Sequence, residues 1–314
     1  MEKMKAVIYN KKGSPDKLIY CDIDKPVPVD SQVLIKIHAV SLNAADYRSM
    51  KIGIIPKKKI FGTDIAGTIE AVGKDVSRFK PGGKVIGCLI HFGYGGLAEY
   101  VAVSEKAVVK KPESVSFDEG STLPVAGVTA LDALRNKGKI KQGDKVLIVG
   151  SAGGVGTFAV QLAKYFGAEV TGVCSTKNKE QTLALGADYA IDYTKDSFLK
   201  QGKYYDVILG INGNYPLLAY RKTLAENGKY ITIGGAIPQV LKTILFGWFL
   251  SFGGKKMTIS GARELNADIE ILAELVEEGI LKPVIEKTYP LNMAAEAMKY
   301  VSQGHSLGKV VINI

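Results

Sequence analysis

Near the middle of the chain, Gly150-Ser-Ala-Gly-Gly-Val-Gly156 places four glycines in seven residues, directly after the apolar run Val146-Leu-Ile-Val149. Apolar Val155, Ala159, Leu162 and Ala163 follow at helical spacing. A strand that turns sharply into a helix offers small residues and free backbone N–H groups at the helix start. Such a turn lets a pyrophosphate approach the backbone, and the helix dipole favours its negative charge. Against the fingerprint G-x-G-x-x-G, Ser151 stands at the first glycine position, while Gly153 and Gly156 fill the other two. Serine is small enough for this to be a variant of the fingerprint. The run predicts a dinucleotide site.

The next strand, through Val170–Val173, runs into Cys174-Ser-Thr-Lys-Asn178. A site for NAD normally carries Asp or Glu there to hold the ribose hydroxyls. This segment has neither, and Ser175, Thr176 and Lys177 can instead hold a 2′-phosphate by charge-assisted contact. An ordinary polar cap for the next helix is compatible with the same residues. The preferred cofactor is NADPH.

These motifs need a scaffold. Six apolar runs, Val146–Val149, Glu169–Val173, Tyr189–Asp192, Asp206–Leu209, Tyr230–Ile233 and Met257–Ile259, read as strands. Amphipathic stretches at Val155–Phe166 and Asn178–Leu185 alternate with them, which implies a parallel sheet. Before them lie shorter, mostly alternating strands at Lys5–Tyr9, Gln32–His38, Ala66–Val72, Lys84–Gly87 and Ala98–Val103, bounded by turn residues. Helical patterns cover Phe117–Thr122 and Ala126–Arg135, and a further helix runs from Asp268 to about Glu278. Leu281–Ile285, Ala294–Val301 and Lys309–Ile314 then read as strand, helix and strand, and the last returns to the β-rich part. The fold class is α/β, with domain boundaries at 1–122 plus 263–314 and at 123–262.

Length and composition agree. The 314 residues allow two cores, and 46% hydrophobic with 23% charged residues excludes disorder. The net charge of +10 and pI of about 9.2 admit nucleic acid, anionic lipid or an anionic small ligand. The lysines are scattered, as in Lys57–Lys59 and Lys255-Lys256, and most read as solvated surface. No segment interleaves aromatics for stacking RNA bases, so nucleic acid is disfavoured. Cys21, Cys88 and Cys174 form neither a disulfide framework nor a metal cluster and suit a reducing, cytoplasmic setting. Met1–Tyr9 holds no long apolar signal, and the run Ile244–Phe252 is far short of the ~20 residues a bilayer span needs.

The chain resembles the medium-chain dehydrogenase/reductase superfamily, in its quinone oxidoreductase (zeta-crystallin-like) branch. The resemblance covers essentially the whole chain. It rests on Ser41-Leu-Asn-Ala-Ala-Asp46, Gly62-Thr-Asp-Ile-Ala-Gly67, Phe79-Lys-Pro-Gly-Gly-Lys-Val85, Gly96-Leu-Ala-Glu-Tyr100, Leu123-Pro-Val-Ala-Gly-Val-Thr129, Gly153-Gly-Val-Gly156, Leu185-Gly-Ala-Asp188 and His305-Ser-Leu-Gly-Lys309, in this order. Tyr204-Tyr-Asp-Val-Ile-Leu209 and Ala225-Glu-Asn-Gly-Lys229 are similar to chloroplast envelope quinone oxidoreductase homologues and alkenal reductases. The resemblance implies a GroES-like β-rich domain beside a Rossmann domain with a doubly wound, parallel six-stranded sheet, and a homodimer.

Zinc-dependent relatives hold their metal where this chain has Asn43, Thr63-Asp64 and the neighbourhood of Ala126. Neither Asn nor Thr is a usual zinc ligand, and Cys88 passes through a short loop to Glu99 with no cysteine-rich lobe. The expectation is an enzyme without zinc. Residues of these types do not activate an alcohol as zinc does, whereas a quinone or an α,β-unsaturated carbonyl spreads the incoming charge onto oxygen.

By resemblance, Gly153, Gly154, Val155 and Gly156 lie at the pyrophosphate, Ser175, Thr176 and Lys177 at the 2′-phosphate, and Tyr193 at the adenosine half. Asn212, Ile233 and Gly235 line the nicotinamide side, Asn43, Arg48 and Thr129 lie near it, and Gly308-Lys309 closes the cleft. Plain alternatives stand beside these. Ile233 reads equally as strand core, Tyr193 as a packed aromatic, and Asn43 and Asp46 as loop-fixing residues. Tyr47 and Tyr94 are weak candidates for donating to a developing oxyanion, with water as the alternative. His38 reads as core, His91 as facing substrate, and His305 as serving the cofactor.

Leu241-Lys-Thr-Ile-Leu-Phe-Gly-Trp-Phe-Leu-Ser-Phe252 holds the only tryptophan. Burial in the core or a dimer interface leads, ahead of a pocket wall for a lipophilic substrate and peripheral contact with a membrane. The rival to catalysis is an NADPH-binding protein without activity, crystallin-like, regulatory, or associated with RNA or a membrane.

Overall fold

The computed structural model describes residues 2–213, 215–235, 237–261, 266–304 and 306–314. His305 and the boundary at 262/263 lie outside the described residues. The chain forms two compact units, Met1–Val125 with Glu264–Ile314, and Ala126–Arg263.

The first unit opens with the antiparallel pair β1 (Lys3–Ile8) and β2 (Ile19–Asp24). Strand β3 (Gln32–Ser41) then pairs with β4 (Asp64–Val72), β4 with β5 (Lys84–Cys88), and β6 (Tyr100–Ser104) with β3 again. The short β7 (Val108–Lys110) closes that edge on β5. Val33, Ile35 and Ile37 of β3 alternate into the core, and the register then shifts between Ile37 and Ala39, so that Val40 is the next residue to join it. A bulge of this kind re-aims one side of a strand. His38 sits at the shift. It is half-buried, 3.1 Å from Thr68 Oγ1, with its ring 4.3 Å from that of Phe117, and burial lowers its pKa. The expected core histidine is therefore a packing residue.

Helix α1 (Ala44–Lys51) follows β3, and α2 (Phe117–Thr122) follows β7. Ser116 Oγ accepts from Glu119 N at 3.1 Å, and Glu119 Oε2 accepts from Ser116 N at 3.0 Å, a reciprocal cap that starts α2. Wide i→i+5 turns follow at Leu123–Gly127, and again at Ala133–Gly138 after α3 (Val128–Asp132). Pro124 cannot donate an intrahelical hydrogen bond, which suits a widened turn.

The second unit alternates strands β8 (Lys145–Val149), β9 (Glu169–Cys174), β10 (Tyr189–Asp192), β11 (Tyr205–Gly210), β12 (Leu224–Ile233) and β13 (Lys256–Ser260) with helices α4 (Gly154–Tyr165), α5 (Lys179–Ala184), α6 (Leu217–Thr223) and α7 (Ile237–Phe246). All six strands are parallel, in the order β10-β9-β8-β11-β12-β13. The direction of winding reverses between β8 and β11, the place where such sheets bind ligands.

The C-terminal part of the first unit contains α8 (Asn266–Glu277), β14 (Ile285–Pro290), α9 (Ala294–Ser302) and β15 (Lys309–Asn313). Strand β15 lies antiparallel to β3, with β14 outside it. The expected strand at Leu281–Ile285 is corrected. Ile280 N and Leu281 N both close the end of α8 on Leu275 O, Pro283 has no N–H for a ladder, and pairing begins at Ile285. Among the described residues no helix is long and apolar enough to cross a membrane.

Candidate functional site

Gly150, at φ +95°, ends β8 and turns the chain into α4. A methyl group on Gly156 would stand 2.1 Å from Gly150 O, so only glycine lets the helix press against the turn. Gly153 differs. A methyl group there would meet only Gly150 O, at 3.9 Å, so the space in front of it is open. The first-turn N–H groups of α4 have no intrahelical partner, and Gly153, Gly154 and Val155 are only half-buried. A nucleotide pyrophosphate fits this cradle by charge and by room.

Ser151 does not face that space. It is fully buried, its hydroxyl 3.1 Å from Thr182 Oγ1. A methyl group on Gly172 of β9 would come within 2.8 Å of Ser151 Oγ. The departure from the fingerprint is thus absorbed beneath the turn, where Gly172 leaves room.

Beyond β9, Ser175 is half-buried and Thr176 and Lys177 are exposed. The structure adds a residue that the sequence reading missed. Thr176 Oγ1 donates to Asp192 Oδ2 at 2.5 Å, and Thr194 donates to Asp192 Oδ1 through N, at 3.0 Å, and Oγ1, at 2.7 Å. These donors, Thr176 first, hold the Asp192 carboxyl below its ordinary pKa. The Thr176 proton is therefore spent on Asp192. Asp192 ends β10, sixteen residues from Thr176, and only the strand pairing β9–β10 brings them together. Tyr193, next to it, is 51% exposed and is no packed core aromatic.

At the winding reversal, Asn212 follows β11 with its N–H on Val149 O at 3.1 Å, beside Gly150. Gly235, at φ +82°, approaches Ile211 O after β12. Asn212, Gly235 and the cradle thus share one rim of the sheet. Ile233 is strand core at 4% exposure, and Thr129 is buried in α3.

The first unit carries a second polar centre. Lys309 Nζ donates to Asn43 Oδ1 at 2.6 Å and to Leu42 O at 3.0 Å. Asn43 Nδ2 donates to Thr63 Oγ1 at 3.1 Å and Asp64 Oδ2 at 2.9 Å. Thr63 Oγ1 donates to Asp64 Oδ1, and Val125 N to Asp64 Oδ2, both at 3.0 Å. Asn43 N donates to Asp46 Oδ2 at 2.9 Å, starting α1. All these side chains are buried. Burial raises the pKa of Asp64, lowers that of Lys309, and pushes Asp46 up to about 7. Asp46 Oδ1 and Ser41 Oγ have no hydrogen-bond partner. Asn43 and Lys309, expected at the cofactor, are held by one another inside this unit, and sequence gave no sign of the knot beyond their separate motifs. Gly308, at φ +86°, is fixed by Val284, whose carbonyl oxygen would lie 2.3 Å from an added methyl group.

Tyr47 and Tyr94 are half-buried against the same core, with Arg48 over the Tyr47 ring at 5.7 Å. Tyr94 adopts φ +62° in the loop that also carries exposed His91.

Comparison with known proteins fits both halves. Residues 29–113 match the family described as alcohol dehydrogenase GroES-like domain, and residues 185–312 match the zinc-binding dehydrogenase family. The chloroplast envelope quinone oxidoreductase homologue of Arabidopsis thaliana is 36% identical, with 98% of each chain covered. The chloroplastic NADPH-dependent alkenal/one oxidoreductase of the same plant is 31% identical over 99% of this chain and 80% of its own length. The solved quinone oxidoreductase from Coxiella burnetii superposes with a TM-score of 0.91 at 31% identity, each chain covered completely. The zinc in one family's description finds no match at Asn43, Thr63 and Asp64. Two of the three are neutral, and the Lys309 ammonium already lies against Asn43 Oδ1. Among the described residues no three of His, Cys, Asp and Glu are grouped to hold a metal. By sequence and fold alike, the chain belongs to the medium-chain dehydrogenase/reductase superfamily, among relatives named as quinone oxidoreductases and alkenal reductases.

Proposed function

We propose that this protein reduces quinones and α,β-unsaturated carbonyls at the expense of NADPH. The observation that carries the reading is the open cradle at Gly153–Val155, followed across β9 by Ser175 and Lys177 with no carboxylate pointing at a ribose from that strand. The names of the relatives support the substrate class. When bound, NADPH supplies a hydride. The first-turn N–H groups of α4 hold the pyrophosphate, and Ser175 Oγ and Lys177 Nζ hold the 2′-phosphate. The Tyr193 ring covers the adenosine half, and Asn212 and Gly235 border the nicotinamide end. A conjugated acceptor carries its new charge on oxygen, so hydrogen-bond donors suffice to stabilise it. Tyr47 and Tyr94 are the phenols proposed for that task, with water as the final proton source.

The test is oxidation of NADPH and of NADH with a small quinone, an enal and an enone. Turnover with NADPH is expected on at least one acceptor. Lys177→Ala should weaken NADPH binding about tenfold and leave NADH binding unchanged. An equal loss for both cofactors defeats the phosphate assignment. Tight NADPH binding without turnover on any acceptor would leave a nucleotide-binding protein and no enzyme.

A further inference from the structure

Two hydroxyls at the rim of the parallel sheet are committed to a single carboxylate. Asp192 closes β10 and is buried at 6% exposure, while Thr176, beyond β9, and Thr194, beyond β10, are exposed. Thr176 Oγ1 donates to one carboxylate oxygen and Thr194 Oγ1 to the other, at 2.5 and 2.7 Å. Thr194 N adds a third donor, and together these keep the carboxyl ionised below its ordinary range. An ionised carboxylate only accepts, so each threonine spends its single hydroxyl hydrogen on it. The hydroxyl oxygen of exposed Thr176 therefore offers lone pairs outward and no hydrogen.

That polarity decides what the rim can receive. A phosphate ester brings acceptor oxygens and negative charge, and an oxygen without a free hydrogen, backed by a carboxylate, opposes both. A ribose hydroxyl brings a hydrogen. An acceptor whose own hydrogen is drawn toward a carboxylate is strengthened for it. Sites for NAD place a carboxylate at the end of the second strand for this purpose. Here β9 ends without one, and the pairing of β9 with β10 sets Asp192 opposite Cys174, two residues before Thr176. The charge comes from the neighbouring strand and acts through a hydroxyl. Lys177, next in the chain, is the cation beside it.

We propose that Thr176, held by Asp192, receives the 2′-hydroxyl of the adenosine ribose, so that the site takes NADH as well as NADPH. The inference rests on the nucleotide site of the proposed function and deepens it. Thr176 serves the unphosphorylated cofactor and Lys177 the phosphorylated one. Asp192 is a positioning residue that acts through Thr176. Its charge works against a 2′-phosphate and so holds the preference for NADPH down.

Binding of NADH, NADPH and 2′-deoxy-NADH to the full chain is measured by calorimetric titration, which needs no acceptor substrate. NADH should bind about fivefold more tightly than 2′-deoxy-NADH, the worth of one hydrogen bond. Thr176→Val should erase that ratio by weakening NADH about fivefold, with NADPH and 2′-deoxy-NADH changed by less than about twofold. Thr176→Ser keeps the hydroxyl and should restore the ratio. Asp192→Asn removes the charge, and its carboxamide donates to Thr176 Oγ1, which frees the threonine hydrogen to turn outward. NADPH should then bind about tenfold more tightly. The NADH to 2′-deoxy-NADH ratio is read within one variant, so a general loss of stability does not imitate it. Equal binding of NADH and 2′-deoxy-NADH by the parent overturns the proposal, as does a Thr176→Val variant that weakens NADH and NADPH alike. Weaker NADPH binding by Asp192→Asn overturns it in favour of a structural brace. If NADPH binds and these ratios stay flat, this inference alone fails. If neither nucleotide binds, the nucleotide site itself fails and the inference with it.

Discussion

At Gly150–Gly156 the side chains that could obstruct a ligand are missing, and backbone groups face outward. Around Lys309 the opposite holds, for the buried side chains of Asn43, Asp46, Thr63, Asp64 and Lys309 converge and are held by one another and by the backbone of Leu42, Asn43 and Val125. The first region is made of consecutive residues. The second joins partners as far apart as 266 positions, through the pairing of β15 with β3. The first region leaves room beside a helix start and the second is filled by its own side chains, and both contain residues that family resemblance assigns to the cofactor.

The contrast can be broken experimentally, beginning where the effect should be greatest. Lys309→Met leaves Asn43 Oδ1 and a buried Asp64 without their cation, so we expect a loss of about 3–5 kcal/mol in denaturant unfolding. A loss below about 1 kcal/mol would mean that the knot contributes little. Gly156→Ala drives a methyl group into the carbonyl of Gly150 and should cost at least roughly 1–3 kcal/mol, with nucleotide binding lost as the turn moves.

Asp46→Asn sharpens the comparison through pH. The Asp46 pKa is pushed up to about 7 in the folded chain from an ordinary 3.8. Between those values the folded state keeps a proton that the unfolded state has released. The contribution of Asp46 is therefore favourable at low pH, declines as pH rises through that window, and is level above it. The asparagine variant does not titrate. Its stability relative to the parent should rise across the window, by roughly 4 kcal/mol in all. A pH-independent difference would contradict the burial of an unmatched carboxyl. The smallest effect on stability is expected for Gly153→Ala, under about 1 kcal/mol, because the added methyl group enters open space. Its mark should be on nucleotide affinity, measured by titration. Unchanged affinity would show that the open space is not where the pyrophosphate lies.

The same contrast explains what was legible beforehand. The six parallel strands and the cradle follow from local patterns, strand then glycines then helix, and they appear where those patterns lie. Asp192 was missed because its partner Thr176 is a neighbour only across the sheet. Lys309 is placed at the cleft by resemblance alone, and nothing adjacent to it in the chain reveals Asn43 as its acceptor. The apolar run 241–252 reads first as core or dimer interface, since hydrophobicity alone does not say which face a helix turns outward. Buried Gln239 and Thr243 decide that, through bonds to Tyr215 and Thr232. The early start expected for the strand at 281–285 overlooks Pro283.

The interruption of the first unit by the second has a consequence for biosynthesis. As the chain leaves the ribosome, Asn43, Thr63 and Asp64 are made long before Lys309, while the nucleotide-binding segment is complete well before the last strand emerges. The Rossmann-type half can thus mature on the growing chain. Its neighbour must wait with two nascent carboxylates still hydrated, and it locks only when translation delivers their ammonium.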